Sequence, residues 1–258
     1  MDLQLKGKTA LVTGSTAGIG LAIAQALAKE GASVIVNGRT EERVRAAMKA
    51  SGAAHGIAAD LGTEAGARKL IAEFGQVDIL VNNLGIFEPK PFAEISDDDW
   101  RRFFEVNVLS GVRLSRHYIG AMKERNWGRI VFISSESALQ IPPEMIHYGM
   151  TKTAQLAISR GLAETTAGTA VTVNAVLPGP TASEGVTEFV QQLAKGQGTD
   201  VAAVEREFFR DVRPSSLIKR FATPAEVAAL VAFVCSPLAA AINGAALRVD
   251  GGVVRSIA

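Results

Sequence analysis

The stretch TALVTGSTAGIG, Thr9 to Gly20, decides the fold. An apolar, β-branched run reaches its end at Thr13, and Gly14, Gly18 and Gly20 surround the start of a helical pattern. In that pattern Ile19, Ala22, Ile23, Ala26 and Leu27 share one stripe, the mark of an amphipathic helix, and Gly31 supplies its stop. A second run, ASVIVNG at 32–38, reads as a strand. Strand, glycine turn, helix and strand make a βαβ unit, whose right-handed crossover places ligands at the carboxyl ends of the strands. Glycines in such a turn let backbone N–H groups approach a pyrophosphate, and the helix N-terminus adds favourable partial charge. With the strand before it and the helix after it, this turn predicts dinucleotide binding.

Outward from this unit, HGIAAD, VDILVNN, GRIVFISS, VTVNAVLPG and GAALRVDGG read as five further strands alternating with helices. Seven alternating strands predict one doubly wound parallel sheet flanked by helices, and the absence of linker, repeat or low-complexity stretches predicts a single domain over 1–258. From Thr181 to Thr223 the strand signal stops. Two helical stretches, GVTEFVQQLAKG and VAAVEREFFRDV, replace it and predict a helical substrate lid.

Composition narrows the partner. In 258 residues the hydrophobic share is 48% and the formal net charge is +1, with Lys and Arg scattered, so nothing calls for nucleic acid or an anionic membrane. A small molecule is the expected partner. Cys235 is the only cysteine, which rules out an intrachain disulfide and a thiolate metal site and fits a reducing cytoplasm. His55, His117 and His147 lack the close spacings of zinc motifs, so no metal is expected. The opening MDLQLKGKTALVTG has no signal-peptide pattern, and no uncharged apolar run approaches membrane length.

The second strand ends with Gly38 and Arg39, where a cofactor with a free ribose hydroxyl commonly meets an acidic residue. A carboxylate would repel a 2′-phosphate, whereas a small residue followed by a guanidinium leaves space and offers bidentate pairing. NADP is therefore expected over NAD, with NAD left possible.

Chemistry concentrates in SSESALQIPPEMIHYGMTK, Ser134 to Lys152. Tyr148 and Lys152 are four apart and share a helix face, so an ammonium can sit beside the phenol. A free phenol has a pKa of about 10, and a neighbouring cation is one way to lower it for acid/base work. Ser135 precedes the tyrosine by thirteen residues. A surface helical pair and a serine turn cap are the duller readings of the same residues.

Together these residues resemble the short-chain dehydrogenase/reductase family, over nearly the whole chain. TGSTAGIG is similar to its TGxxxGIG cofactor loop, NNLG to its NNAG motif and YGMTK to its YxxxK pair, while Asn107 in FEVNVLSG is similar to the asparagine of its tetrad. LPGPT resembles the segment that passes the nicotinamide. The resemblance implies a three-layer Rossmann-like fold and an NAD(P)-dependent oxidoreductase that interconverts a ketone and a secondary alcohol, closest to ketone and 3-oxoacyl reductases. It makes Tyr148 the general acid/base, Lys152 the group that lowers its pKa and holds the nicotinamide ribose, Ser135 the carbonyl-polarising hydroxyl, and Asn107 the support of a water relaying protons to Lys152. It also implies cofactor contacts from Gly14, Ser15, Thr16, Gly18, Ile19, Gly20 and Arg39. Further contacts are implied from Asp60 beside the adenine, Leu61, Asn82, Asn83 and Gly85, and from Pro178, Gly179 and Thr181 at the nicotinamide. Leu84 departs from the family's usual alanine.

For the substrate, Phe87, Ile141, Pro142 and Met145 predict an apolar lining, while Glu88 and Glu136 offer carboxylates to a hydroxyl or amine. His147 points away from the Tyr148 face, and Trp100 and Trp127 read as packing residues. Two other functions stand beside the reductase: a catalytically idle dinucleotide-binding sensor or scaffold, and an NAD-dependent sugar or polyol dehydrogenase, which Arg39 opposes. The resemblance further implies a homo-oligomer, tetramer or dimer, through VAALVAFVCS and LRVDGGVVRSIA.

Overall fold

The computed structural model describes residues 2–257. Its seven strands are β1 (Thr9–Val12), β2 (Ser33–Gly38), β3 (His55–Ala58), β4 (Ile79–Asn82), β5 (Gly128–Ile133), β6 (Val171–Pro178) and β7 (Ala246–Val249). All lie in the seven runs expected to form strands. They form one parallel sheet in the order β3-β2-β1-β4-β5-β6-β7. Strand order reverses between β1 and β4, which opens a crevice at their carboxyl ends, the usual ligand position in such sheets.

Period-2 alternation in buried strands feeds two cores. Val131 and Ile133 of β5 join one cluster, while Ile130 and Phe132 point into the other. The first cluster is covered by α1 (Gly18–Lys29), α2 (Glu41–Ser51) and α9 (Pro224–Cys235). The second is covered by α3 (Glu64–Glu73), α5 (Ser110–Glu124) and α6 (Ile146–Glu164). The result is the three-layer Rossmann-like arrangement. Helix α1 buries Ile23, Ala24 and Leu27, and Gly31, at φ +87°, turns the chain back into β2.

Most apolar residues of α9 are used within the subunit: Val227, Ala228, Val231 and Ala232 pack into the first core. Ala229, Leu230 and Phe233 remain exposed or half-buried in that stretch.

Between β6 and α9 the chain leaves the sheet through α7 (Glu184–Gln197), α8 (Val201–Glu207) and a π-helical turn at Phe208–Val212. Its ends are tied at the base. Thr181 bridges Ala222, with the Ala182 N–H donating to Ala222 O at 2.8 Å and the Ala222 N–H to Pro180 O at 2.9 Å. Val190, Ala194 and Val204 form a small core of its own, backed by Phe221.

Candidate active site

A cavity of about 640 Å³ opens at the carboxyl ends of the strands, and Ser135, Tyr148 and Lys152 line it together. Ser135 follows β5 and caps a 3-10 turn, accepting from the Ser137 N–H at 3.1 Å. Tyr148 stands in the first turn of α6, where the nearby Ser135 hydroxyl draws its pKa down. Lys152, one turn further on, lies 5.5 Å over the Tyr148 ring centroid. The shared helix face is as expected.

The electrostatics are not. Burial pushes the Tyr148 phenol up to about 12, and the Glu136 carboxylate adds to the rise. Burial also lowers Lys152 to about 8. The ammonium donates to Ile133 O at 2.9 Å and to Gln155 Oε1 at 3.4 Å, so its hydrogen bonds are spent away from the phenol. Lowering of the tyrosine by the lysine is therefore not a property of the protein alone.

Asn107 is brought in by a feature that periodicity could not reveal, a π-helical turn at Glu105–Leu109 between α4 (Asp97–Phe104) and α5. Such turns rotate one residue out of helical register, often at functional sites. The Asn107 side chain accepts from the Ile86 N–H at 2.7 Å and donates to Ile86 O and Thr151 Oγ1, both at 3.0 Å. Its main-chain carbonyl accepts from Gln155 Nε2 at 2.6 Å. Gln155 thus links Asn107 to Lys152. Nothing in YGMTK marks Gln155, one turn downstream; only its burial between these partners does.

The glycine loop fits a dinucleotide pyrophosphate. Helix α1 begins with no capping side chain and no acid in its first turn, so its N-terminal N–H groups are free for an anion. A Cβ at Gly20 would lie 2.5 Å from Asn83 Nδ2 and 2.6 Å from Gly14 O, so only glycine lets helix and loop approach this closely. Asn83 holds the loop from behind, donating to Thr13 O at 2.9 Å and Gly14 O at 3.1 Å. Asn82 does not face this site: it turns to Ser115 Oγ at 3.1 Å, because successive strand residues point to opposite faces. Ser15 is buried and donates to Val12 O, and Ile19 lines the cavity.

At the adenosine end, a Cβ on Gly38 would meet Thr16 Cγ2 at 2.3 Å, so a side chain there would have to displace the Thr16 methyl. Arg39 is exposed and makes no hydrogen bond or ion pair with the described residues. Asp60 is exposed and accepts from the Gly62 N–H, while Leu61 is buried in the core. At the other end, Gly85 passes close to Lys152, and Pro178, Gly179 and Thr181 line the cavity. The Thr181 hydroxyl donates to Gly179 O at 2.8 Å. Leu84 lies against Gly14 and packs into the second core.

Of the substrate candidates, Phe87 stands edge-on to Tyr148 at 6.4 Å, and Met145 also lines the cavity. Glu88 is a surface residue paired with Arg102 at 2.7 Å. Glu136 is buried and accepts from Arg213 Nε at 3.1 Å. Sequence reading passes over Arg213, which lies 77 positions from its partner at the end of the helical excursion. His147 is buried against Phe103, ring centroids 4.0 Å apart, and burial lowers its pKa. Trp100 packs beside it, and Trp127 lies under Lys8 and Arg129. Among the described residues no cluster of three or more His, Cys, Asp or Glu could hold a metal, and no helix is long and apolar enough to cross a membrane.

Comparison with known proteins agrees with this geometry. An uncharacterized oxidoreductase, YvaG, of Bacillus subtilis (strain 168) is 53% identical over the full length of both chains. A 3-oxoacyl-(acyl-carrier-protein) reductase, FabG, of Aquifex aeolicus (strain VF5) is 36% identical, over 98% of this chain and 100% of its own. The crystal structure of L-sorbose reductase from Gluconobacter frateurii, complexed with NADPH and L-sorbose, superposes with a TM-score of 0.92 over 100% of both chains at 32% identity. The short chain dehydrogenase profile matches residues 8–194, and with these relatives it establishes that the chain belongs to the short-chain dehydrogenase/reductase family of NAD(P)-dependent oxidoreductases.

Proposed function

We propose that the protein is an NADP(H)-preferring carbonyl reductase that interconverts a ketone and a secondary alcohol. The observation that carries this is the convergence of Tyr148, Ser135 and a buried Lys152 on one cavity beside the glycine loop. A nicotinamide cofactor held there would supply the hydride. The glycine loop would hold its pyrophosphate, Lys152 its nicotinamide ribose, and Arg39 the 2′-phosphate. With glycine and not an acid at 38 and an exposed guanidinium at Arg39, the site suits the extra phosphate better than a bare ribose hydroxyl.

Tyr148, with its pKa near 12, is a neutral phenol at physiological pH and so stands as a proton donor, the form that reduction needs. It gives its proton to the carbonyl oxygen while the Ser135 hydroxyl donates a second hydrogen bond to the same atom. Lys152 at about 8 is still mostly cationic near neutrality. Gln155 fixes its ammonium against Asn107. The segment 181–223 acts as the lid, its helices facing the catalytic floor across the cavity and its ends pinned by the Thr181–Ala222 bridge.

A second reading, reduction of a sugar ketone, is favoured by the close superposition on a reductase bound to NADPH and L-sorbose. Cytoplasmic residence suits Cys235, whose buried thiol has its pKa raised to about 12. Assembly as a dimer or tetramer follows the family resemblance and belongs to the proposal.

The test is oxidation of NADPH and of NADH by the purified protein over a panel of ketones, 3-oxoacyl thioesters, quinones and sugars, with Tyr148→Phe alongside. NADPH-dependent turnover that the variant lacks is the expected result. Cofactor binding with no turnover across the panel favours the sensor reading instead.

A further inference from the structure

The substrate half of the cavity is acidic. Its charged lining consists of Glu136, Glu144, Glu207 and Asp211 against only Lys152 and Arg213. Neither cation is free. Lys152 is committed to Ile133 O and Gln155 on the cofactor side. Arg213 donates to Glu136 at 3.1 Å, to Glu144 at 3.3 Å and to Val212 O at 3.0 Å, with its side chain 11% exposed. Asp211 is engaged by Arg210, and Glu207 is exposed without a described partner. Glu136 sits directly after Ser135, its side chain 5% exposed and its Oε2 without a hydrogen-bond partner. That oxygen is itself enclosed, and every cation nearby is already matched by an acceptor. The remaining walls, including Phe87, Met145, Val186 and Phe208, are apolar.

We propose that this site selects uncharged carbonyl substrates and rejects those bearing a carboxylate near the reacting carbon, with Glu136 as the specificity-determining residue and Arg213 as the cation that Glu136 withholds from an anionic substrate. The inference rests on the carbonyl-reductase reading and refines its substrate class. A carboxylate entering here would lose its hydration shell and meet Glu136 and Glu144 with no unpaired cation to compensate. An uncharged ketone carries no such charge to desolvate against these walls. Replacing Glu136 by glutamine keeps the shape and an acceptor for Arg213 Nε but removes one negative charge, so the Arg213 cation is no longer fully offset when a carboxylate enters.

The test uses a matched pair with one carbon frame, methyl acetoacetate and acetoacetate. Each is measured as substrate with NADPH, as inhibitor of reduction of the best ketone from the panel, and as ligand of the NADP-loaded protein by thermal shift. In the wild type the ester is expected to outperform the acid on the order of 100-fold. Glu136→Gln should narrow the gap by about tenfold or more. Glu144→Gln, at a half-exposed position, should narrow it less, and it serves should Glu136→Gln fail to fold. Glu88→Gln, on the surface, should leave the gap unchanged. Acid and ester performing equally in the wild type, or a gap unmoved in both Glu136→Gln and Glu144→Gln, would overturn the proposal. If no panel ketone turns over, the reductase reading fails by itself, and the thermal shifts still decide whether the cavity discriminates by charge.

Discussion

Around the glycine loop, geometry is set by main chain. Gly20 packs against Gly14 O, Asn83 binds two loop carbonyls, and α1 offers free N–H groups, with no charged side chain in the construction. Across the cavity, at 184–213, the chain is held to the catalytic floor by the Arg213 guanidinium shared between Glu136 and Glu144. The first arrangement recognises what every dinucleotide shares, and backbone donors do not vary with side-chain substitution. The second rests on a few side chains that can change without disturbing the sheet. On the proposed function, cofactor binding rests on the backbone-built half and substrate choice on the half built from these few side chains.

Four experiments can break that division. The largest effect is expected from Tyr148→Phe, which removes only the transferable proton. Turnover should fall about 10²–10⁴-fold with NADPH affinity unchanged, as steady-state kinetics and cofactor fluorescence titration would show. Next is Arg213→Met, which leaves Glu136 buried and unpaired. Breaking a buried ion pair on one side costs about 3–5 kcal/mol, so the melting temperature should drop and KM rise, while NADPH affinity holds. An equal loss of cofactor affinity would mean that the two halves are not separable.

Arg39→Ala should weaken NADPH by roughly ten- to 100-fold, the worth of a charge-assisted bond, and leave NADH almost unaffected. Equal weakening of both would remove Arg39 from the phosphate site. The smallest effect is in pH dependence. Lys152 is cationic below about 8 and neutral above it, because burial lowers it from 10.5, whereas Tyr148 near 12 stays protonated throughout. The kcat/KM for reduction should therefore be flat near neutrality and decline as pH rises through about 8. In Gln155→Ala the inflection should move, since one of the two acceptors holding the ammonium is gone. An unmoved inflection would reduce Gln155 to packing.

What could be read from residues follows the same division. The seven strands, the glycine turn and the Tyr148–Lys152 face were legible because each is local: period 2, period 3.6, or a glycine cluster between them. Even there the sequence left Asn82 and Asn83 undivided, and the structure separates them by the alternation of a strand. Three features were beyond its reach. The π-helical turn that presents Asn107 leaves no mark in periodicity. The Gln155 link to Asn107 spans 48 positions and the Arg213–Glu136 pair 77, and neither residue type is unusual in a helix or loop. The direction of the tyrosine shift also escaped, since spacing shows that a cation is near but not how deeply the phenol is buried.

The most direct test of the central claim is to follow the hydrogen itself. NADPH deuterated at the transferable C4 position is supplied with a ketone that the panel shows to be reduced, and the alcohol is analysed for deuterium at the carbinol carbon. The account predicts one deuterium per product molecule from the wild type and essentially no labelled alcohol from Tyr148→Phe under the same conditions. Unlabelled alcohol from the wild type, or as much labelled alcohol from the variant as from the wild type, would contradict it.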